Sequence, residues 1–232
     1  MVQDRARRKT LPGEPPVELV IRRSGRARRI SLRVSALDGR VTLSVPAAAS
    51  ERAALDFAAS KASWIRAQLA CGVPAAQVGP GTVLSVLGRP REVAIGSGGA
   101  ALLDREIRVS ARRAIGPQVA ALLKEAARDA LERASRRHAA AIGCRPGRIT
   151  MRDTRSRWGS CSAEGNLNYS WRLVLAPPDV LDYVAAHEVA HLRHMDHSRA
   201  FWSVVEELRP DWRDHRDWLR REGSRLHGWR FE

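Results

Sequence analysis

Four of the seven histidines fall within residues 187–197, around the run His187-Glu188-Val189-Ala190-His191. On a helix, His187 and His191 stand about 6 Å apart along the axis and share a face, so both imidazoles can reach one ion. Glu188 lies about 60° round the helix from His191 at roughly 100° per residue. Its carboxylate can therefore reach a water on that ion without being a ligand. A catalytic zinc keeps three protein ligands and one open position and lowers the pKa of the water held there to about 7. Glu188 then takes that water's proton as it attacks a carbonyl and passes it to the leaving amine. The five-residue pattern also arises by chance in exposed, charged helices. Here Val184, Ala185, Val189 and Ala190 give it apolar surroundings instead. Two histidines compete as third ligand. His194 shares the face only if the helix continues, and it then sits about 10 Å along the axis from His187. His197 can fold back if the helix ends near Arg193 or His194. His197 is preferred, which leaves His194 in the turn or in a supporting role behind the ligands.

The elements that must position these residues are legible in outline. Pro177-Pro178-Asp179 starts the histidine helix. Before it, Arg148 to Asp153 and Asn166 to Leu175 read as a β-hairpin around an irregular stretch, with Leu167, Tyr169, Trp171, Leu173 and Leu175 alternating with other residues. A long helix runs from Pro117 to about Ile142 and is stopped by Gly143. Further upstream, residues 1–16 read as a basic flexible tail. Val17–Arg22, Arg29–Val34 and Arg40–Val45 read as a small antiparallel sheet with turns at Ser24-Gly25 and Asp38-Gly39. A single helix follows over Arg52–Ala70, then strands at Val83–Leu87, Arg91–Ile95 and Glu106–Val109. The fold class is α+β: a β-rich N-terminal region with one helix over 17–112, then a catalytic domain over 113–232.

Composition sets the bounds. With 232 residues and 44% hydrophobic content the chain can bury a real core. Cys71, Cys144 and Cys161 are odd in number and widely spaced, so neither a disulfide framework nor a cysteine zinc site is indicated. No stretch approaches 18 uncharged apolar residues and no apolar leader follows the N-terminus, so a soluble cytoplasmic protein is expected. Net charge is +15, and 37 of the 40 basic residues are arginine. Arginine is the side chain best shaped to fork onto phosphate or carboxylate, so nucleic acid or another polyanion is a candidate partner, beside the plainer reading of a compositional bias.

An ordered set of segments surrounds the histidine helix: Arg157-Trp158-Gly159-Ser160-Cys161-Ser162, Asn166-Leu167-Asn168, Trp171 to Pro177, Tyr183-Val184, then His194, His197-Ser198 and Phe201-Trp202. This set resembles the YgjP-like zinc metallopeptidases, a zincin group distantly similar to the SprT and WLM proteases. The resemblance implies a zincin-like catalytic domain with zinc at His187, His191 and His197 and with Glu188 as general base. It conveys a catalytic apparatus without a target.

In zincins an edge strand beside the helix lines the cleft and a peptide can add to it. Asn166–Leu175 is the candidate strand, with Asn168 and Ser170 as candidate substrate contacts. Arg157 and Arg172, with Arg152 and Arg155, are candidates for holding a phosphate or carboxylate. Gly159 can admit a close backbone approach, while Trp158 and Cys161 are assigned to packing and Cys161 is not expected to be a nucleophile. Trp202, Trp212 and Trp218 are expected to pack two C-terminal helices on the catalytic one. A protein or peptide is the expected substrate. Two rivals stand beside it: a metal-dependent hydrolase of nucleotides or phosphate esters, motivated by the arginines, and a protease acting on DNA-bound proteins, implied by the SprT and WLM similarity.

Overall fold

The computed structural model describes residues 7–35, 39–70 and 76–232. Part of the expected tail, Asp38 of the expected turn, and Cys71 lie outside the described residues. The chain divides into two compact units, Met1–Pro74 and Ala75–Glu232.

In the first unit, β1 (Arg7–Leu11), β2 (Val17–Ser24), β3 (Ser31–Val34) and β4 (Val41–Pro46) form a sheet of order β1-β2-β4-β3. Two expectations change here. The section of the tail from Arg7 to Leu11 is a strand antiparallel to β2, held by Leu11 in the core and by Arg7 and Lys9 pairing with Glu51. The sheet is also mixed, because β2 and β4 lie side by side in parallel, with β3 outside them. Alternation buries Val17, Leu19 and Ile21 of β2 and Val41, Leu43 and Val45 of β4 on one face. That face is covered by α1 (Glu51–Ser60), capped by Ser50, and α2 (Ala62–Ala70), through Ala54, Ala58 and Ile65. The single helix expected over 52–70 is thus two, broken at Lys61.

The second unit begins well before the boundary expected at 112/113. After the short β5 (Ala76–Gln77), β6 (Val83–Val86), β7 (Arg89–Ile95), β8 (Ala101–Leu102) and β9 (Glu106–Val109) make a sheet of order β6-β7-β9-β8. Leu87 and Gly88, both at positive φ, form its first turn. Leu84, Val86, Val93, Ile107 and Val109 share one core with Val119 and Leu123 of the 27-residue α3 (Ile115–Ala141), so this sheet belongs to the helical unit. Then come β10 (Ile149–Arg152), β11 (Gly159–Cys161), β12 (Leu167–Ser170), a 3-10 turn over Trp171–Leu175, α4 (Pro178–Ala190), α5 (Arg199–Leu208), α6 (Trp212–Glu222), and β13 (Trp229–Arg230), which pairs with β5. The expected hairpin is corrected: β10 runs parallel to β12, the antiparallel partner of β12 is β11, and Trp171–Leu175 is helical rather than extended. Among the described residues, no helix is long and apolar enough to cross a membrane.

One polar cluster ties α4 to its neighbours. The Asp182 side chain, 13% exposed, pairs with Arg137 and accepts from His138 Nε2 at 3.1 Å and Arg209 Nη1 at 2.9 Å. Burial pushes its carboxyl up, but the His138 hydrogen bond and the charges of His138, Arg137 and Arg209 outweigh burial and bring it from 3.8 down to about 2. A folded-state pKa below the unfolded one contributes stability that is present above about pH 4 and is lost as pH falls towards 2. The shift corresponds to about 2 kcal/mol. Denaturant unfolding followed by tryptophan fluorescence is therefore expected to show Asp182→Asn less stable by about that amount at pH 7 and less acid-sensitive between pH 4 and 2. Equal stability and equal acid sensitivity of the two proteins would remove this account of the cluster.

Candidate metal centre and active site

Helix α4 is apolar on nearly every side: Val180, Leu181, Val184, Ala185, Ala186, Val189 and Ala190 are all buried. Such a helix runs through the middle of a core rather than along its surface. His191 is its C-cap, and the chain turns at once, with Leu192 N–H donating to Val189 O at 2.9 Å and both Arg193 and His194 N–H donating to Ala190 O at 3.1 Å. Arg193 fastens the turn to Ile142 O. The chain comes back at His197, and Ser198 caps α5 by accepting from Phe201 N–H at 3.4 Å.

This turn brings His187, His191 and His197 together, with one ligand nitrogen from each lying within 4.8 Å of the others. His194 stays out of the cluster; its backbone carbonyl accepts from His191 Nδ1 at 2.9 Å. A carbonyl only accepts, so His191 Nδ1 carries the proton and Nε2 presents its lone pair. Phe201, fully buried, packs under all three imidazoles with ring centroids 4.9, 4.5 and 4.8 Å away.

The residues fit a zinc ion. Burial and the neighbouring His191 and His197 lower the His187 pKa to about 3, so its ring is neutral and free to ligate. His187 Nε2 and His197 Nε2 stand 3.2 Å apart. Two nitrogens bound tetrahedrally at zinc–nitrogen distances stand about 3.3 Å apart. Three neutral imidazoles are a donor set suited to zinc.

Glu188 is 5% exposed, and burial pushes its carboxyl up to about 8, against the opposing charge of Arg157. A cation held by the three histidines acts in the opposite direction and favours the carboxylate. The closeness of Gly159 is what encloses this side chain: a Cβ on Gly159 would lie 2.5 Å from both Cγ and Oε1 of Glu188. Glycine thus lets the backbone of β11 lie directly against the carboxyl. Burial followed by the charge of Glu188 pushes the Cys161 thiol up to about 11, so it stays a packed thiol.

A cleft of about 320 Å³ opens in front of Glu188, between the segment entering β11, helix α4 and helix α6. Of the four candidate substrate contacts, Arg157 lines it and Asn168, Ser170 and Arg172 do not. β12, which carries Asn168 and Ser170, is the central strand of its sheet; β11 is the edge beside α4. The Asn168 amide oxygen accepts from Thr150 Oγ1 at 2.5 Å, and Ser170 is fully buried. Arg172 is a structural clamp. Its guanidinium pairs with Asp153 at 2.7 Å, donates to the carbonyls of Leu226 and Trp229, and lies 4.7 Å from the Trp171 ring. Trp202 and Trp212 stack at 4.3 Å, as expected of helix packing. Sequence reasoning missed Arg216, Leu219 and Arg220, which share one face of α6 at i, i+3 and i+4 and line the cleft. That spacing was visible, but nothing local shows that the face looks onto the histidine helix. The place of Phe201 beneath the ligands was likewise hidden in an apolar run.

A family model described as a YgjP-like metallopeptidase domain matches residues 28–222. No curated protein matches the chain. Among solved structures, the metallopeptidase zymogen abylysin of Pyrococcus abyssi aligns at 21% identity over 40% of this chain and 93% of that one, with a TM-score of 0.37, a likeness too slight to carry an argument. The family match takes in most of the chain, from just before β3 through α6, and the chain belongs to the YgjP-like metallopeptidases.

Proposed function

We propose that this protein is a zinc metallopeptidase in which His187, His191 and His197 hold the ion and Glu188 moves the proton. The observation that carries the reading is the convergence of three imidazole nitrogens beside a buried carboxyl that, with His187, lines an open cleft. Zinc in such a site supplies Lewis acidity that polarises a carbonyl and activates water. Glu188 accepts the proton of the attacking water and delivers it to the departing amine nitrogen. Its enclosure by Gly159 holds the carboxyl in one place for both transfers. Phe201 closes the apolar side of the three imidazoles, and His187 and Glu188 are the members of the group that line the cleft. The free edge of β11 offers main-chain groups to an extended peptide lying along the cleft. A reducing, cytoplasmic setting suits the free thiols of Cys144 and Cys161.

Elemental analysis of the purified protein is expected to find about one zinc per chain. Chelation is then expected to abolish hydrolysis of unfolded protein substrates and added zinc to restore it. Full activity in a protein shown to be metal-free would overturn the reading.

A further inference from the structure

The walls of the cleft carry charge as well as shape. Arg157 stands on the segment entering β11, and Arg216 and Arg220 stand one turn apart on α6 with Leu219 between them. The floor is the apolar surface of Tyr183 and Val184. Arg216 is held in place by the Trp212 ring, 4.6 Å from its guanidinium carbon, and its Nε is buried without a hydrogen-bond partner. Asp217 is the nearby counter-charge, 3.2 Å from Arg220 and 3.7 Å from Arg216. Three guanidinium groups thus stand against two carboxylates, the exposed Asp217 beside Arg216 and Arg220 and the buried Glu188, which feels Arg157 and is the one acidic residue among those lining the cleft. An apolar floor ringed by guanidinium groups receives a side chain that has a short apolar stem and a carboxylate end. Guanidinium forks match a carboxylate geometrically.

We propose that this cleft selects peptides with an aspartate or glutamate next to the scissile bond, whose side-chain carboxylate is received by Arg157, Arg216 and Arg220. The proposal rests on the metallopeptidase reading and adds the substrate class to it. The arginine stacked on Trp212 is the fixed donor, while Arg157 and Arg220, both more exposed, close on the bound carboxylate from either side.

Paired peptides that differ only by Glu against Gln, placed in turn on each side of a mapped cleavage site, test it. The zinc-loaded enzyme is expected to cleave the Glu member with a kcat/KM about 10–100-fold higher, the range of a charge-assisted hydrogen bond. Arg220, two-thirds exposed, can be reversed without touching the core, and in Arg220→Glu the ratio is expected to collapse and Lys-containing peptides to gain. Arg216→Gln should collapse the ratio as well, with Arg216→Lys restoring part of it. Independently of turnover, the Glu peptide should bind the Glu188→Gln protein about tenfold or more tighter than its Gln partner, by fluorescence anisotropy. Equal cleavage and equal binding of the pair would overturn the acidic preference and leave the peptidase reading standing. Cleavage of no peptide, together with hydrolysis of nucleotides dependent on the same arginines, would overturn both.

Discussion

Glu188→Gln is expected to lower kcat/KM for peptide hydrolysis by about 10²–10⁴-fold, the usual contribution of a positioned general base, while the protein keeps its zinc and its fold. Glutamine matches glutamate in size, and the side chain at this position is 5% exposed and enclosed on one side by β11. What is lost is the capacity to accept the water proton and return it to the leaving nitrogen. The metal is expected to stay because, on the proposed reading, its ligands are the three neighbouring imidazoles. Zinc stoichiometry and circular dichroism separate a lost proton shuttle from a lost site. If the Gln protein retained more than about a tenth of wild-type activity, Glu188 would not be the base, and a different proton acceptor would have to be sought in the cleft.

The second large effect comes from a residue with no side chain. Gly159→Ala puts a methyl group 2.5 Å from Cγ and Oε1 of Glu188 and 2.7 Å from Cδ. Carbon atoms do not approach that closely, so either β11 or the carboxyl must move. β11 is held by its pairing with β12, and Glu188 is the part with rotatable bonds. A base displaced by about 1 Å costs on the order of 10²-fold in rate. The expected phenotype is therefore a fall of that size in kcat with zinc retained. Gly79→Ala is the control, because nothing lies within 4 Å of a Cβ built there. Normal activity in Gly159→Ala would mean that the strand gives way instead and that the base is not held by this contact.

The parts of the site that were legible in the sequence are those set by local geometry. Two histidines four apart on a helix share a face whatever the rest of the chain does, and the distance along the axis already favoured His197 over His194. The sheet was less legible because its pairing is not local. β10 lies parallel to β12 across an intervening stretch that itself contains β11, and no turn signal announces such a crossover. That error moved the edge strand, and with it Asn168 and Ser170 were assigned to a cleft they do not line. Arg172 misled for another reason: an arginine in an apparent strand beside the site reads as a hand for a phosphate or carboxylate, yet this one holds carbonyls of the C-terminal segment while pairing its charge with Asp153. β1 was concealed because Arg7 and Lys9 find their partner in Glu51, more than 40 residues later in the sequence. The early start of the second unit follows from where the sheet of β6–β9 finds its apolar cover, on α3, which only the assembled core reveals.

The turn from His191 to His197 contains no ligand between its ends, but an ion bound by both histidines closes it into a ring. The tightness of that ring depends on how much freedom the chain loses when the ends meet. Much of that loss is met in advance: the carbonyl of His194 is committed to His191, Arg193 is committed to Ile142, and Ser198 starts α5 immediately after the last ligand. Asp196 is committed as well, its carboxylate accepting from the Ser198 N–H at 3.3 Å, which leaves Met195, exposed at the tip, as the remaining slack. On the proposed reading the hold on the metal would be set partly by the stiffness of a hinge, and sequence change at one solvent-facing position, Met195, would retune how readily the protein gains or gives up an ion without altering a single ligand.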